Sequence, residues 1–97
     1  MPRPEEIAPG VHRLDLGAGW LAANVYFIGS VAAWCLVDAG WPRDEAAIRR
    51  AAEALFGAGT RPAAIVLTHA HPDHAGAARA LARVWACPVL VHPDELP

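Results

Sequence analysis

The chain has 97 residues, of which 55% are hydrophobic and 19% charged, and its formal net charge at pH 7 is −2. This length suits one small unit over residues 1–97, and the weak negative charge with no lysine offers no basic stripe for nucleic acid. No apolar run approaches the length of a membrane span and Met1–Glu6 lacks a signal-peptide core. We therefore expect a cytoplasmic protein that partners neither nucleic acid nor membrane.

The N-terminal third of the chain has the alternation and the turn residues of β-strands. In Val11–Leu16, one side of the predicted strand has Val11, Arg13 and Asp15, and the other has His12, Leu14 and Leu16. Gly17-Ala18-Gly19 ends that pattern. Two further apolar segments, Ala22 to Ile28 and Ala32 to Val37, flank Gly29-Ser30. The pattern predicts three strands, the last two of which are joined by a tight hairpin turn at Gly29-Ser30.

Helix and strand patterns alternate after the hairpin. Pro42 and Asp44 open a predicted helix that runs to about Ala58 and that Gly57 or Gly59 ends. Its apolar side chains share one face and are Ile48, Ala51, Ala52 and Leu55. Ala63–Thr68 is short and evenly apolar, which favours a buried strand over a surface helix.

The last two elements follow the same alternation. A second helix is predicted from about Ala75 to Trp85, and Cys87-Pro88 stops it. Val89–His92 is the predicted last strand. Trp34 and Trp85 fit core positions of a strand and a helix, and no linker or repeat divides the chain.

Four side chains able to bind a metal lie within six residues, directly after the predicted buried strand. They are His69, His71, Asp73 and His74, and they offer the imidazole nitrogens and the carboxylate that zinc prefers. In extended backbone His69 and His71 point to the same side, and Pro72 favours a turn that brings the other two around. The alternative is a polar turn before a helix, in which Asp73 only caps.

The number of ligands favours two metal ions over one. Four ligands on six residues crowd a single ion, whereas His69 and His71 can hold one ion and Asp73 and His74 a second. Paired metals about 3.5–4 Å apart are a recurring device of hydrolytic enzymes. Asp73 also suits the positive end of the helix that follows, so we expect it to be the least replaceable acid of the chain.

The segment Leu67–Gly76 resembles the signature T-H-x-H-x-D-H-x-G of the metallo-β-lactamase-fold superfamily. Upstream, Asn24–Gly29 and Cys35–Gly40 resemble the two strands that precede the signature in that family, and Val91–Glu95 resembles the strand end that follows it. The resemblance implies an α/β fold, the N-terminal half of an αββα sandwich, with a mixed β-sheet and two helices packed on its outer face.

The resemblance also implies roles for single residues. His69 and His71 match ligands of the first metal, and Asp73 and His74 match ligands of the second. Asp73 matches in addition the catalytic residue that orients the bridging hydroxide. Asp38 matches an Asp that supports the metal loop, and a strand-end turn residue is the alternative. The implied cofactor is Zn²⁺, as one or two ions, with Fe or Mn as the alternative. Trp20 is a candidate for lining the substrate entrance.

The implied function is that of a metal-dependent hydrolase acting on a small-molecule substrate. A metal-bound hydroxide would attack an ester, thioester, lactone or amide bond. In the family, further ligands come from segments well downstream, so we expect the site of a chain that ends at Pro97 to be incomplete, and whether it is an enzyme stays open. The alternative is a catalytically incomplete metal-binding half-domain that needs a partner chain or a second copy, as in a homodimer through the exposed sheet face.

Overall fold

A computed structural model describes residues 3–69, 71 and 75–95 of the chain. The described residues form one sheet of six strands with two helices. The strands are β1 (Glu5–Ala8), β2 (Val11–Leu16), β3 (Ala23–Gly29), β4 (Trp34–Val37), β5 (Ile65–Leu67) and β6 (Val89–Val91). The helices are α1 (Glu45–Phe56) and α2 (Ala78–Trp85), and 3-10 turns cover Gly19–Leu21, Pro42–Asp44 and Pro93–Glu95.

The sheet is mixed, and its strand order is the order of the chain. Strands β1 to β4 pair antiparallel, whereas β4 pairs parallel with β5 and β5 parallel with β6. Parallel neighbours need a crossover connection, and α1 and α2 supply the two crossovers. This arrangement confirms the predicted mixed sheet with two helices on one face.

The core lies between one face of the sheet and the inner sides of both helices. Aromatic rings dominate it at one end: Trp34 stacks on Phe56 with ring centroids 4.7 Å apart and meets Trp85 edge-on at 5.5 Å. Such pairs add about 0.5–1.5 kcal/mol each beyond the burial of their area. Trp34 is 2% exposed and Trp85 5%, so the predicted core positions of both residues are confirmed.

The β3–β4 hairpin corrects one detail of the sequence analysis. The predicted turn at Gly29-Ser30 is wrong, because Gly29 is the last residue of β3 and the loop spans residues 30–33. Ser30 and Ala33 exchange backbone hydrogen bonds of 2.9 and 3.1 Å across this loop. Gly29 has φ +132°, and a Cβ there would lie 2.2 Å from the Ala33 carbonyl oxygen. The glycine therefore serves a close backbone approach and not the turn itself.

The ends of the chain's other elements lie close to their predicted positions. Strand β1 was not predicted, and all four of its residues are exposed, so no alternation marks it. Helix α1 ends at Phe56 and not at Ala58, because Gly57 takes φ +106° and its N–H donates to the Glu53 carbonyl. Among the described residues, no helix combines the length and the apolar character that crossing a membrane requires.

The sheet face away from the helices has no layer packed on it within the described part of the chain. We call it the open face, and its apolar side chains are Val11, Tyr26, Ile28, Val37, Val66 and Leu90. Ile28 is 43% exposed and Leu90 53%. An apolar band thus crosses the open face of the sheet.

Candidate metal centre

Three strand ends meet at one edge of the sheet. Because β4, β5 and β6 run in the same direction, the segments that follow them leave the sheet at the same edge. Asp38 follows β4, Thr68 and His69 follow β5, and His92 follows β6. In sheets of this kind ligands bind beyond the carboxyl ends of the strands. The candidate metal loop, residues 68–74 of the sequence, thus begins at this edge with Thr68 and His69.

Asp38 connects the end of β4 to the start of the metal loop. It is 4% exposed, and its carboxylate accepts hydrogen bonds from the Thr68 backbone N–H at 2.8 Å and from the Thr68 hydroxyl. The hydroxyl oxygen lies 2.9 Å from Oδ1 and 2.8 Å from Oδ2. These bonds satisfy a buried carboxylate that would otherwise be costly to desolvate. They give Asp38 the supporting contact that the resemblance implies.

The backbone of Asp38 adopts an unusual conformation. Its φ is +65°, in the left-handed region that non-glycine residues rarely enter. Its N–H donates to the Val66 carbonyl of β5 at 2.8 Å. The backbone of Asp38 is therefore bound by β5, and its side chain by Thr68, which directly follows β5. Strain of this kind persists where surrounding structure fixes it, and it clusters at functional sites.

His69 and His71 face each other across the first turn of the metal loop. Their ring centroids are 5.8 Å apart, their planes differ by 21°, and both residues are exposed. The Nδ1 atom of His69 lies 3.1 Å from the Thr68 hydroxyl oxygen. The structure therefore brings two of the four predicted ligands together.

The other two predicted ligands, Asp73 and His74, lie outside the described residues. Within the ranges that are described, no group of three or more His, Cys, Asp or Glu side chains is arranged to hold a metal. The assignment of His69, His71, Asp73 and His74 as a ligand set therefore stays a prediction.

The chain that follows the metal loop is anchored on the segment after β4. The Gly76 N–H donates to the Gly40 carbonyl at 2.8 Å, and the Ala77 N–H donates to the Ala39 carbonyl at 3.3 Å. Residues 38–40 thus bind the chain on both sides of the metal loop, through the Asp38 side chain at Thr68 and through these two carbonyls at Gly76 and Ala77.

The segment after β4 is fixed in turn by Asp44. This residue is 6% exposed and accepts a 2.8 Å hydrogen bond from the Trp41 N–H. Gly40 has φ +60°, and a Cβ there would lie 2.7 Å from Asp44 Oδ2. Asp44 was predicted only to start a helix, and its packing against Gly40 was not predicted.

The same segment also fixes the 3-10 turn between β2 and β3. The Leu21 carbonyl accepts hydrogen bonds from Trp41 Nε1 at 2.9 Å and from the Arg43 guanidinium at 3.4 Å. Trp20, one residue earlier, is 87% exposed. The turn presents its indole to solvent from a fixed backbone. No sequence signal links Trp41 or Arg43 to Leu21, because the contact spans 20 residues or more.

The remaining residues with metal-binding chemistry have other contacts. His92 Nδ1 accepts a 3.1 Å hydrogen bond from the Asp94 N–H, so this side chain caps the 3-10 turn that follows β6. Cys35 and Cys87 are free, half-buried thiols. Burial raises the pKa of the Cys87 thiol, and Arg61 opposes that rise only in part. A thiol held protonated is a poor metal ligand.

The chain is similar to known proteins over nearly its whole length. The sequence model of the Metallo-beta-lactamase superfamily matches residues 18–97. The probable metallo-hydrolase YflN of Bacillus subtilis (strain 168) is 40% identical over 95 residues, which are 95% of this chain and 34% of YflN. The chain thus spans about a third of the length of this relative.

Solved structures agree with the sequence match. A metallo-beta-lactamase of Cronobacter sakazakii with an HARLDQ motif superposes with a TM-score of 0.74 at 27% identity, over 95% of this chain and 34% of that one. MEM-A1, a subclass B3 metallo-beta-lactamase from a soil metagenome library, gives a TM-score of 0.78 at 21% identity, over 96% and 34% of the two chains. At 21% identity, the similarity to MEM-A1 shows only that the two chains share a fold.

Proposed function

Because the chain belongs to the metallo-β-lactamase superfamily, we propose that it supplies the metal loop of a metal-dependent hydrolase. The family is metal-dependent, and YflN is itself a probable metallo-hydrolase. One observation carries the proposal: His69 and His71 face each other at the carboxyl edge of the sheet, on a loop that Asp38 holds. The bond attacked is proposed to be an ester, thioester, lactone or amide of a small molecule.

The distance between the two described histidines supports the proposal of a shared metal ion. Imidazole nitrogens bind zinc at about 2.0–2.1 Å, so two rings on one tetrahedral ion have centres roughly 5 Å apart. The 5.8 Å separation of His69 and His71 is close to that value. Both rings are exposed at the sheet edge, so an ion can reach them without displacing core residues.

Each proposed ligand has a role in this scheme. His69 and His71 would hold the first ion, and Asp73 and His74 a second one. When bound, the metal supplies Lewis acidity and lowers the pKa of water so that a nucleophile is available near neutral pH. The Asp73 carboxylate would orient the attacking water by accepting its hydrogen bond. Zinc is our first choice for this donor set, with Fe or Mn as the alternative.

The complete reaction is proposed for a protein of the relatives' length, since the chain spans about a third of YflN. A second candidate function is that of a catalytically incomplete metal-binding half-domain that pairs with a second copy. The open face favours this candidate, because a symmetric dimer can bury a self-complementary apolar face. Both candidate functions require the same metal loop. They differ in whether the open face is covered by a second copy of the chain or by another part of a longer protein.

Metal content of the purified chain tests the proposal. Elemental analysis for Zn, Fe and Mn, with native mass spectrometry on the same sample, should find one or two ions per chain. The double variant His69→Ala/His71→Ala should lose most of the metal, because two imidazole ligands are removed. His12→Ala is the matched control, since His12 lies on β2 and its loss should leave the metal content unchanged. A double variant that keeps the metal content of the wild-type chain would refute the proposal.

A further inference from the structure

We propose that Thr68 is a positioning residue that sets the tautomer of His69 and thereby presents its Nε2 atom to a metal. The inference rests on the proposed function and adds to it a residue that is not itself a ligand. It is carried by a hydrogen-bonded series of three side chains, which runs from Asp38 through the Thr68 hydroxyl to His69.

The number of protons in this series determines the direction of each hydrogen bond. A threonine hydroxyl has one proton to donate and two lone pairs, and an ionised carboxylate only accepts. The Thr68 oxygen lies 2.8 and 2.9 Å from the two carboxylate oxygens of Asp38, so its proton is directed to that carboxylate. With that proton directed to Asp38, we assign the 3.1 Å contact with His69 as a hydrogen bond that His69 Nδ1–H donates to the hydroxyl.

The consequence for His69 is a defined tautomer. A neutral imidazole carries one proton, and the nitrogen without it is the one that binds metal. With the proton on Nδ1, the lone pair is on Nε2, the nitrogen farther from the backbone. Asp38 is buried and fixed by β5, so it holds the hydroxyl, and the hydroxyl holds the ring. Partners of this kind orient ligands and raise their basicity in metal sites.

His92 shows the opposite arrangement at the same edge of the sheet. Its Nδ1 accepts a hydrogen bond from the Asp94 N–H, so the neutral ring carries its proton on Nε2. A histidine in that state has both nitrogens occupied, one by an accepted hydrogen bond and one by its own proton. The contrast gives a physical reason why His69 is the ligand and His92 is not, although both follow neighbouring parallel strands.

The experiment compares Thr68→Val with Thr68→Ser in the 97-residue chain. Valine has the shape of threonine without the hydroxyl, and serine restores the hydroxyl. Thr60→Val is the matched control, because the Thr60 hydroxyl also accepts a side-chain hydrogen bond, from Trp34 Nε1 at 2.8 Å, but in the aromatic part of the core. Two quantities are measured: the tautomer of His69 in metal-free protein, by long-range ¹H–¹⁵N NMR, and the affinity for Zn²⁺, by competition with a chromogenic chelator.

We expect the wild-type chain and Thr68→Ser to carry the His69 proton on Nδ1. Thr68→Val should shift it towards Nε2 and weaken zinc binding by about 10-fold or more, as changes to such outer partners commonly do. Thr60→Val should change neither quantity.

Two results would overturn the inference. One is an Nε2–H tautomer of His69 in the wild-type chain, and the other is a Thr68→Val variant that keeps wild-type zinc affinity. Failure of the proposed function looks different: zinc then binds equally to the wild-type chain and to His69→Ala/His71→Ala, whatever the tautomer. The NMR measurement decides the role of Thr68 even in that case.

Discussion

At the scale of single residues, the strain of Asp38 can be separated from the value of its hydrogen bonds. Asp38→Ala removes both acceptors of Thr68, and we expect the free energy of unfolding to fall by about 1–3 kcal/mol. Asp38→Gly loses the same bonds but relieves the positive φ, so it should be more stable than the alanine variant by about 1–2 kcal/mol. Urea unfolding of the metal-free variants measures both differences.

Two outcomes would contradict this account of Asp38. Equal stabilities of Asp38→Ala and Asp38→Gly would mean that the φ of +65° costs nothing in the folded chain. Wild-type stability of both variants would mean that the hydrogen bonds to Thr68 do not stabilise the junction between β4 and the metal loop.

At the scale of elements, the β3–β4 hairpin depends on a close approach at Gly29. In Gly29→Ala, the new Cβ would lie 2.2 Å from the Ala33 carbonyl oxygen, so the loop must move. Gly59→Ala is the matched control, because Gly59 also has a positive φ, +77°, but nothing within 4 Å of a Cβ there. The control should lose about 1–2 kcal/mol of unfolding free energy, the cost of left-handed alanine.

The hairpin variant should lose more than the control. Displaced backbone at a fixed turn adds on the order of 1–3 kcal/mol to the conformational cost. The measurement is again urea unfolding, with the midpoint and slope of each transition compared between the two variants. Equal losses in Gly29→Ala and Gly59→Ala would show that residues 30–33 adapt without cost, and that the hairpin is not rigid at this point.

The same hairpin shows what sequence patterns can and cannot predict. Strand β2, helix α1 and strand β5 follow from alternation, helical spacing and apolar runs, which are local properties of the chain. The position of the turn does not, because Gly29 is required by the backbone of residue 33 across the loop. Strand β1 was missed because it pairs at the sheet edge through its backbone and buries no side chain.

In the candidate site, too, some features were predicted from local spacing and others depend on contacts between distant residues. The spacing of His69 and His71 predicted that the two side chains point to the same side, and their ring centroids lie 5.8 Å apart. The contact of Asp38 with Thr68 spans 30 residues and depends on the parallel pairing of β4 with β5. The role of Asp38 was predicted only from the family resemblance, and Thr68 was not predicted to form these hydrogen bonds. Local motifs therefore indicate candidate ligands, whereas the contacts of Asp38 and Thr68 follow from sheet topology.

At the scale of the whole molecule, the open face distinguishes the two candidate functions. Ile28 and Leu90 are the exposed apolar side chains near the middle and the far edge of this face, at 43% and 53% exposure. A second copy that covers the face would bury both, whereas the reading as part of a longer hydrolase predicts no specific self-association. The oligomeric state of the 97-residue chain therefore bears directly on the choice between them.

Sedimentation velocity and equilibrium measure this state in the micromolar range. If two copies pair through the open face, the wild-type chain should sediment as a dimer, and Ile28→Glu/Leu90→Glu should sediment as a monomer because two buried carboxylates would lack partners. Val31→Glu is the matched control: Val31 is 71% exposed but lies in the β3–β4 loop, so this variant should stay dimeric. A wild-type chain that is monomeric at high micromolar concentration would exclude the second copy. The first candidate function would then be favoured, since the contacts of Asp38 with Thr68 lie at the carboxyl edge of the sheet and not on the open face.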